Sequence, residues 1–356
     1  MCGPMPPLRG GVPKHTARLA DALQKKTKLT VLSPKNLYPS VLFPGASQID
    51  KTQIGYQREG SAFVTYGSTL RLLFKLATLP RGQECLIVWW TTGRALQTYL
   101  ITKVLNHRRH KIVFFCHNVF PHDASGLARK ISSGLLSRAS SLMVQSDEQA
   151  DLLARVLPNA NVSVVSHPAW VSPMGSDQHA KRSNVLLFFG LIRPYKGLPT
   201  LLSALDDLDP TEDVCIKVVG EVWDKKLEAQ LLKHSARDPR LEFTPGFTTD
   251  STMDNLFASA RAILMPYIHA TGSGILASAK QHRKPVIASR ISPFTEEVQE
   301  GVDGVLFEPE NAGSLASAIK RVLEDPELCS EAWSHGQNSD YSWDDLADAV
   351  RSSFMT

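Results

Sequence analysis

Two cations and two glycines stand close together in Gly190-Leu191-Ile192-Arg193-Pro194-Tyr195-Lys196-Gly197, between the apolar run 185–189 and a helical pattern over 198–205. A guanidinium beside an ammonium on a strand-to-helix turn is chemistry for holding an anion. Arg193 can grip phosphate oxygens in pairs, and Lys196 adds a mobile point charge. A second turn follows the apolar run 262–265, where Thr271-Gly272-Ser273-Gly274 leads into a helical pattern over 275–281 that carries Ser278. Its glycines let backbone pass close to a ligand, and the amides at a helix start favour phosphate. Two such turns in one α/β half predict a diphosphate-bearing substrate. Glu221, just past the run 216–219, and Glu296 sit at strand or helix ends where ligands gather, and can take hydroxyls there or act as surface caps. His117 closes the run 112–116 and so stands on the ligand side of a parallel sheet. It can orient a hydroxyl or serve as a hydrogen-bonded core histidine.

The elements that must carry these residues alternate regularly. Short apolar runs, five residues or so in length, read as buried parallel strands at 29–32, 86–90, 111–116, 142–145 and 162–165, separated by helical patterns at 13–26, 69–79, 93–106, 127–138 and 147–156. The alternation resumes at 185–189 and continues through strands at 216–219, 241–243, 263–265, 286–288 and 305–307. Two doubly wound α/β domains are expected, 1–169 and 170–340, with a linker rich in Pro, Ser and charge at 167–183. Residues 33–68 are poor in pattern and are expected to hold short strands and a loop.

Composition narrows the class. The chain has 356 residues, 43% of them apolar, enough for one or two packed domains. No apolar run approaches the ~20 residues that cross a bilayer. The first residues lack the basic start and apolar core of a secretory signal. Five cysteines without close-pair spacing indicate neither a disulfide framework nor a zinc site, and a cytoplasmic location is expected. Charge is uneven: residues 1–170 hold 21 Lys and Arg against 8 Asp and Glu, residues 171–356 hold 18 against 27. The basic half can face an anionic membrane surface, which would make the protein peripheral on the inner leaflet, or an anionic acceptor, or water. No recognised module interleaves aromatics with the basic clusters, so nucleic acid is not an expected partner.

The order of the motifs resembles that of family 4 glycosyltransferases, which move a sugar from a nucleotide-sugar donor to an acceptor. Gly10-Gly11-Val12-Pro13-Lys14-His15 with Leu19-Ala20-Asp21-Ala22-Leu23 is similar to the family's acceptor loop and first helix. Cys116-His117-Asn118-Val119-Phe120-Pro121-His122 is similar to its mid-domain histidine loop. Ser163-Val164-Val165-Ser166-His167-Pro168 resembles the approach to its interdomain linker, and Lys284-Pro285-Val286-Ile287-Ala288-Ser289 the strand after its donor helix. The resemblance implies a GT-B fold of two Rossmann-like domains facing a central cleft, with a last helix over 341–356 packing back on the first domain. It implies retention of anomeric configuration, donor contacts from Gly190, Gly197, Glu221, Thr271, Gly272, Ser273, Gly274 and Ser278, and catalytic roles for His117, Arg193 and Lys196. Gly10, Gly11, His15 and His122 would meet a saccharide or lipid-linked acceptor. No cofactor or metal is needed, the nucleotide-diphosphate sugar being substrate.

Three departures stand out. The family arginine falls one residue after the glycine, where this chain has Leu191, so Arg193 is expected to take over its task. The two family glutamates are matched by Thr271 and Ser278. No apolar run precedes Gly10, so either translation begins upstream or the first strand of the amino-terminal sheet is missing. A catalytically degenerate partner subunit and a nucleotide-sugar epimerase are the rival readings.

Overall fold

The computed structural model describes residues 1–37, 47–50, 62–89, 95–120, 126–168, 184–270, 273–325, 327–330, 332–333 and 341–355. The chain divides into two compact units, Met1–Pro168 with Tyr341–Thr356, and Ala169–Asp340.

In the first unit the named strands pair in parallel: β1 (Thr30–Pro34) with β2 (Ala62–Tyr66), and β3 (Glu84–Trp89), β4 (Lys111–Cys116), β5 (Ser141–Val144) and β6 (Val162–Val164) in sequence order. No named strand precedes the first helix, yet the slot between β1 and β3 is filled. Cys2 bridges in parallel to Leu32 on one side and Ile87 on the other. Its amide donates to Leu86 O at 2.8 Å, the amide of Gly3 to Leu32 O at 3.0 Å, and Val88 N returns a bond to Cys2 O at 2.9 Å. The expected gap is therefore reduced to a three-residue segment, Met1 to Gly3, whose backbone groups satisfy both neighbours. A segment this short cannot show itself as an apolar run.

Helices cover both faces of this sheet. On one side α1 (Gly11–Lys26) and α12 (Trp343–Ser352) pack Leu19, Leu23, Leu346 and Val350 against Val113 and Phe115. On the other, α2 (Thr69–Thr78), α3 (Ala95–His107), α4 (Gly126–Leu136) and α5 (Asp147–Val156) bury Leu72, Leu76, Ile101, Leu105, Leu135 and Leu153. The helix α12 begins at a capping box, in which the Ser342 hydroxyl accepts from Asp345 N and the Asp345 carboxylate accepts from Ser342 N. Ser342→Ala should lower the urea midpoint by an amount equivalent to about 1 kcal/mol. No change would mean that packing alone sets the helix start.

The second unit is a six-stranded parallel sheet in the order β12-β11-β10-β7-β8-β9, with β7 (Val185–Phe189), β8 (Cys215–Gly220), β9 (Leu241–Pro245), β10 (Ala262–Met265), β11 (Val286–Ser289) and β12 (Gly304–Phe307). Strands β10, β11 and β12 are buried along their whole length, as expected of a sheet covered on both faces. The helices α6 (Leu198–Asp207), α7 (Lys225–Arg237) and α11 (Ala312–Glu324) cover one face; α8 (Asp250–Ser259), α9 (Gly274–Gln281) and α10 (Phe294–Glu297) the other. The chain winds outward from β7 through β8 and β9, then crosses back to β10. The order reverses between β7 and β10, the place where open α/β sheets hold ligands.

Candidate functional site

Both glycine turns lie at that reversal. After β7 the chain stays bound to β8: Gly190 N donates to Val219 O at 2.9 Å and Ile192 N to Glu221 O at 2.8 Å. This close approach requires Gly220, where an added Cβ would lie 1.8 Å from Gly190 O. A 3-10 turn, Pro194–Lys196, then leads through Gly197 in the left-handed region (φ 68°) into α6. A Cβ at Gly197 would lie 1.7 Å from Pro266 O, so the turn after β7 presses on the chain leaving β10. Ile268 N donates to Tyr195 O at 2.7 Å and ties the two turns together.

Arg193 caps the 3-10 turn and lays its guanidinium over Trp223, 4.3 Å from the ring centroid, which fixes the cation without consuming its donors in a carboxylate pair. Lys196 departs from the mobile charge expected of a turn. It is only 6% exposed, donates to Phe189 O at 3.1 Å, and lies 5.3 Å from the Tyr267 ring centroid. Burial without a carboxylate lowers its pKa to about 7. The missing side chain at Gly190 makes room for the ammonium, 3.1 Å from where a Cβ would stand. Burial also raises the Tyr267 and Tyr195 phenols, so both stay protonated donors at neutral pH.

The helix α9 opens the other wall. Ser273 is its N-cap, accepting from Leu276 N at 3.2 Å, and nothing stands within 4 Å of a Cβ placed on Gly274. Among the described residues, the space beside Gly274 is open. Ser278 is buried one turn on and donates its hydroxyl to Gly274 O at 2.9 Å, so its donor is already spent on the backbone. Glu221 closes the group at the end of β8, and Glu296, on α10, accepts from the Ser292 hydroxyl. Thr271 and Gly272 lie outside the described residues.

In the first unit, Gly10 (φ 115°) precedes α1 and Gly11 begins it. His15 faces inward on that helix and is 1% exposed, within a cluster of rings. Its centroid is 4.6 Å from His117, 4.9 Å from Phe115, 5.1 Å from His167 and 5.0 Å from Trp343. Both of its ring nitrogens are buried without a hydrogen-bond partner among the described residues. His117, at the carboxyl end of β4, faces Gln145 Oε1 at 3.3 Å through Nδ1, while its Nε2 is buried and unpartnered. Burial first, then the neighbouring His167, lowers the His117 pKa to about 3; burial first, then His117 and His167, hold His15 well below the usual range. Both rings are neutral at physiological pH. His122 lies outside the described residues.

Residues 174–338 match the family model described as Glycosyl transferases group 1. Anabaena HepE in complex with UDP-glucose superposes with a TM-score of 0.75 at 15% identity, covering 99% of this chain and 98% of that one. Sucrose-phosphate synthase from Thermosynechococcus elongatus gives 0.71 at 14% identity over 99% and 94%. The fold is GT-B. Sequence relatives include a D-inositol 3-phosphate glycosyltransferase of Corynebacterium glutamicum, 25% identical over 57% of this chain and 51% of its own length. Another is a GDP-mannose:glycolipid 4-beta-D-mannosyltransferase of Xanthomonas campestris pv. campestris, 28% identical over 42% and 43%. The chain thus spans about half the length of the curated relatives it matches.

Within the second GT-B unit, the structure brings together Gly190, Arg193, Lys196, Gly197, Glu221, Ser273, Gly274 and Ser278 around the ends of β7, β8 and β10. Sequence reasoning missed four aromatic neighbours. Trp223 carries Arg193, Tyr267 lies beside Lys196, and Tyr195 sits 5.4 Å from His269. Their signal was available: each lies within a few residues of a glycine or strand end already singled out. In the first GT-B unit His15 and His117 adjoin, and the unforeseen partners are His167 and Trp343.

Proposed function

We propose that the chain is a glycosyltransferase whose second unit holds a nucleotide-diphosphate sugar and whose first unit holds a saccharide or lipid-linked acceptor. The observation that carries this reading is the anion cradle. A guanidinium fixed on an indole, a buried ammonium, and the open start of α9 converge where the sheet order reverses. Together they suit a diphosphate on which charge builds as the sugar leaves.

In the proposed step the bond from the anomeric carbon to the diphosphate oxygen breaks and a bond to the acceptor hydroxyl oxygen forms on the same face. The acceptor proton passes to the leaving phosphate oxygen. Arg193 and Lys196 neutralise the departing charge, while in the first unit His117 offers its ring to a hydroxyl of the acceptor. Retention follows from this same-face displacement, which needs no carboxylate nucleophile. Glu221 takes hydroxyl recognition in the absence of carboxylates at 271 and 278. The glycolipid named for the Xanthomonas relative favours a lipid-borne acceptor, which would draw the chain from the cytoplasm to an anionic bilayer. Among the described residues no helix is long and apolar enough to cross one.

Calorimetry with UDP, GDP, dTDP and ADP tests the donor site. One of the four should bind, and Arg193→Ala should weaken it about ten- to a hundredfold, the loss expected for charge-assisted contacts. Failure of all four to bind a cooperatively folded chain would end the reading.

A further inference from the structure

We propose that the outer face of α2, α3 and α4 docks this protein on an anionic lipid bilayer. The inference rests on the acceptor reading above and deepens it by naming the surface that meets the lipid.

Each of these helices begins with an exposed leucine at its second position: Leu70 (78% exposed), Leu96 (72%) and Leu127 (69%). They follow β2, β3 and β4 of a parallel sheet, so all three helix starts lie along its carboxyl edge. The helix α2 packs on α3, and α3 on α4, which makes the leucines neighbours in a row. One turn further along, Phe74 (74%) and Ile131 extend the row into a face. The core does not need these side chains, because Leu72, Leu76, Ile101, Leu105, Leu135 and Leu136 already fill the inner faces. Isolated exposed apolar residues are ordinary on a soluble surface; five on three adjoining helices are not. In the whole second unit, only Leu232 and Phe247 share this exposure among the described residues.

Charge decides what covers the face. Residues 62–138 contain 11 Lys and Arg against 2 Asp and Glu. Exposed Arg71 and Lys75 stand beside Leu70 and Phe74 on α2, and exposed Arg129 and Lys130 beside Leu127 on α4. Apolar residues interleaved with basic ones form the surface that lies in the headgroup layer of an anionic membrane. A second copy of this chain would set two positive faces together, and a nucleic acid would leave the leucines in water. A groove of about 420 Å³ adjoins the face, lined by Leu32, Val64, Tyr66, Leu70 and Phe74, and offers an apolar recess next to Arg71 and Lys75.

The test is flotation of the full chain with phosphatidylcholine vesicles, with and without phosphatidylglycerol, for wild type, Leu70→Ser/Phe74→Ser/Leu96→Ser and Arg71→Gln/Lys75→Gln/Arg129→Gln/Lys130→Gln. Wild type should float with the phosphatidylglycerol vesicles and detach as salt rises. The charge variant should lose roughly a hundredfold or more in partitioning, and the serine variant at least about tenfold, both keeping the wild-type circular dichroism and nucleotide affinity. A nucleotide-binding wild type that ignores anionic vesicles overturns the proposal, as does a serine variant that floats like wild type. A concentration-dependent dimer abolished by the serine changes would assign the face to self-association instead. Loss of nucleotide binding with flotation intact would strike the donor reading and leave this surface standing.

Discussion

Gly197→Ala is expected to unfold the second unit at neutral pH or bring it close to doing so, a loss of about 3–5 kcal/mol. Two costs coincide at this position. The backbone sits at φ 68°, where a Cβ is strained, and the new atom would stand 1.7 Å from Pro266 O. The carbonyl cannot yield alone, because Tyr267 N is bonded to Met265 O and Ile268 N to Tyr195 O on either side of it. Gly274→Ala is the control. It lies at the start of α9, an added Cβ meets nothing within 4 Å, and stability should stay within about 0.5 kcal/mol while nucleotide affinity falls. Denaturant midpoints for both variants check the pair. Equal midpoints would show that the turn after β7 is looser than its contacts imply.

Lys196→Met is expected to stabilise the free protein by on the order of a few kcal/mol at neutral pH and to weaken nucleotide diphosphate binding by roughly a hundredfold. The pKa of the lysine falls from 10.5 to about 7 through burial. Below about 7 the ammonium is charged in both folded and unfolded chains, and its burial cost is fully present. Between about 7 and 10.5 the unfolded chain holds the proton and the folded chain has released it. The unfolded state then binds more protons, so stability rises with pH across that window. The methionine variant should lose that rise. Binding of a diphosphate should return the charge: near pH 8.5, about one proton is taken up per nucleotide, read from the buffer dependence of the calorimetric heat. Equal pH dependence in wild type and variant, or no proton uptake, would place the ammonium in water and remove its role in the cradle.

Sequence made the strands legible where both faces are covered. Runs such as 185–189 and 286–288 are continuous because both sides of the sheet carry helices. The edge strand β2, within the 33–68 stretch expected to hold short strands, had no legible bounds because Thr65 faces solvent and Val64 is half-buried, which leaves no continuous run. The bridge at Cys2 escaped because its hydrogen bonds come from β1 and β3, far along the chain. At the site, glycines and cations marked the turns, since left-handed backbone and close approach restrict residue type. What the sequence withheld was the state of Lys196. That depends on Phe189 O, the Tyr267 ring and the bare Cα of Gly190, a conjunction that exists only once β7 and β10 adjoin. The burial of His15 was illegible for the same reason: its neighbour Trp343 comes from the far end of the chain.

The docking of α12 beside α1 has a consequence for synthesis. The second unit is one uninterrupted stretch, Ala169–Asp340, whereas the first needs Tyr341–Thr356 to finish it. As the chain leaves the ribosome, residues of the later unit can complete their core while Leu19, Leu23 and Phe115 still await Leu346 and Val350. The unit that comes first in the sequence is thus sealed by residues that follow the whole of the second, and until Leu346 and Val350 dock, that apolar face is open to chaperones.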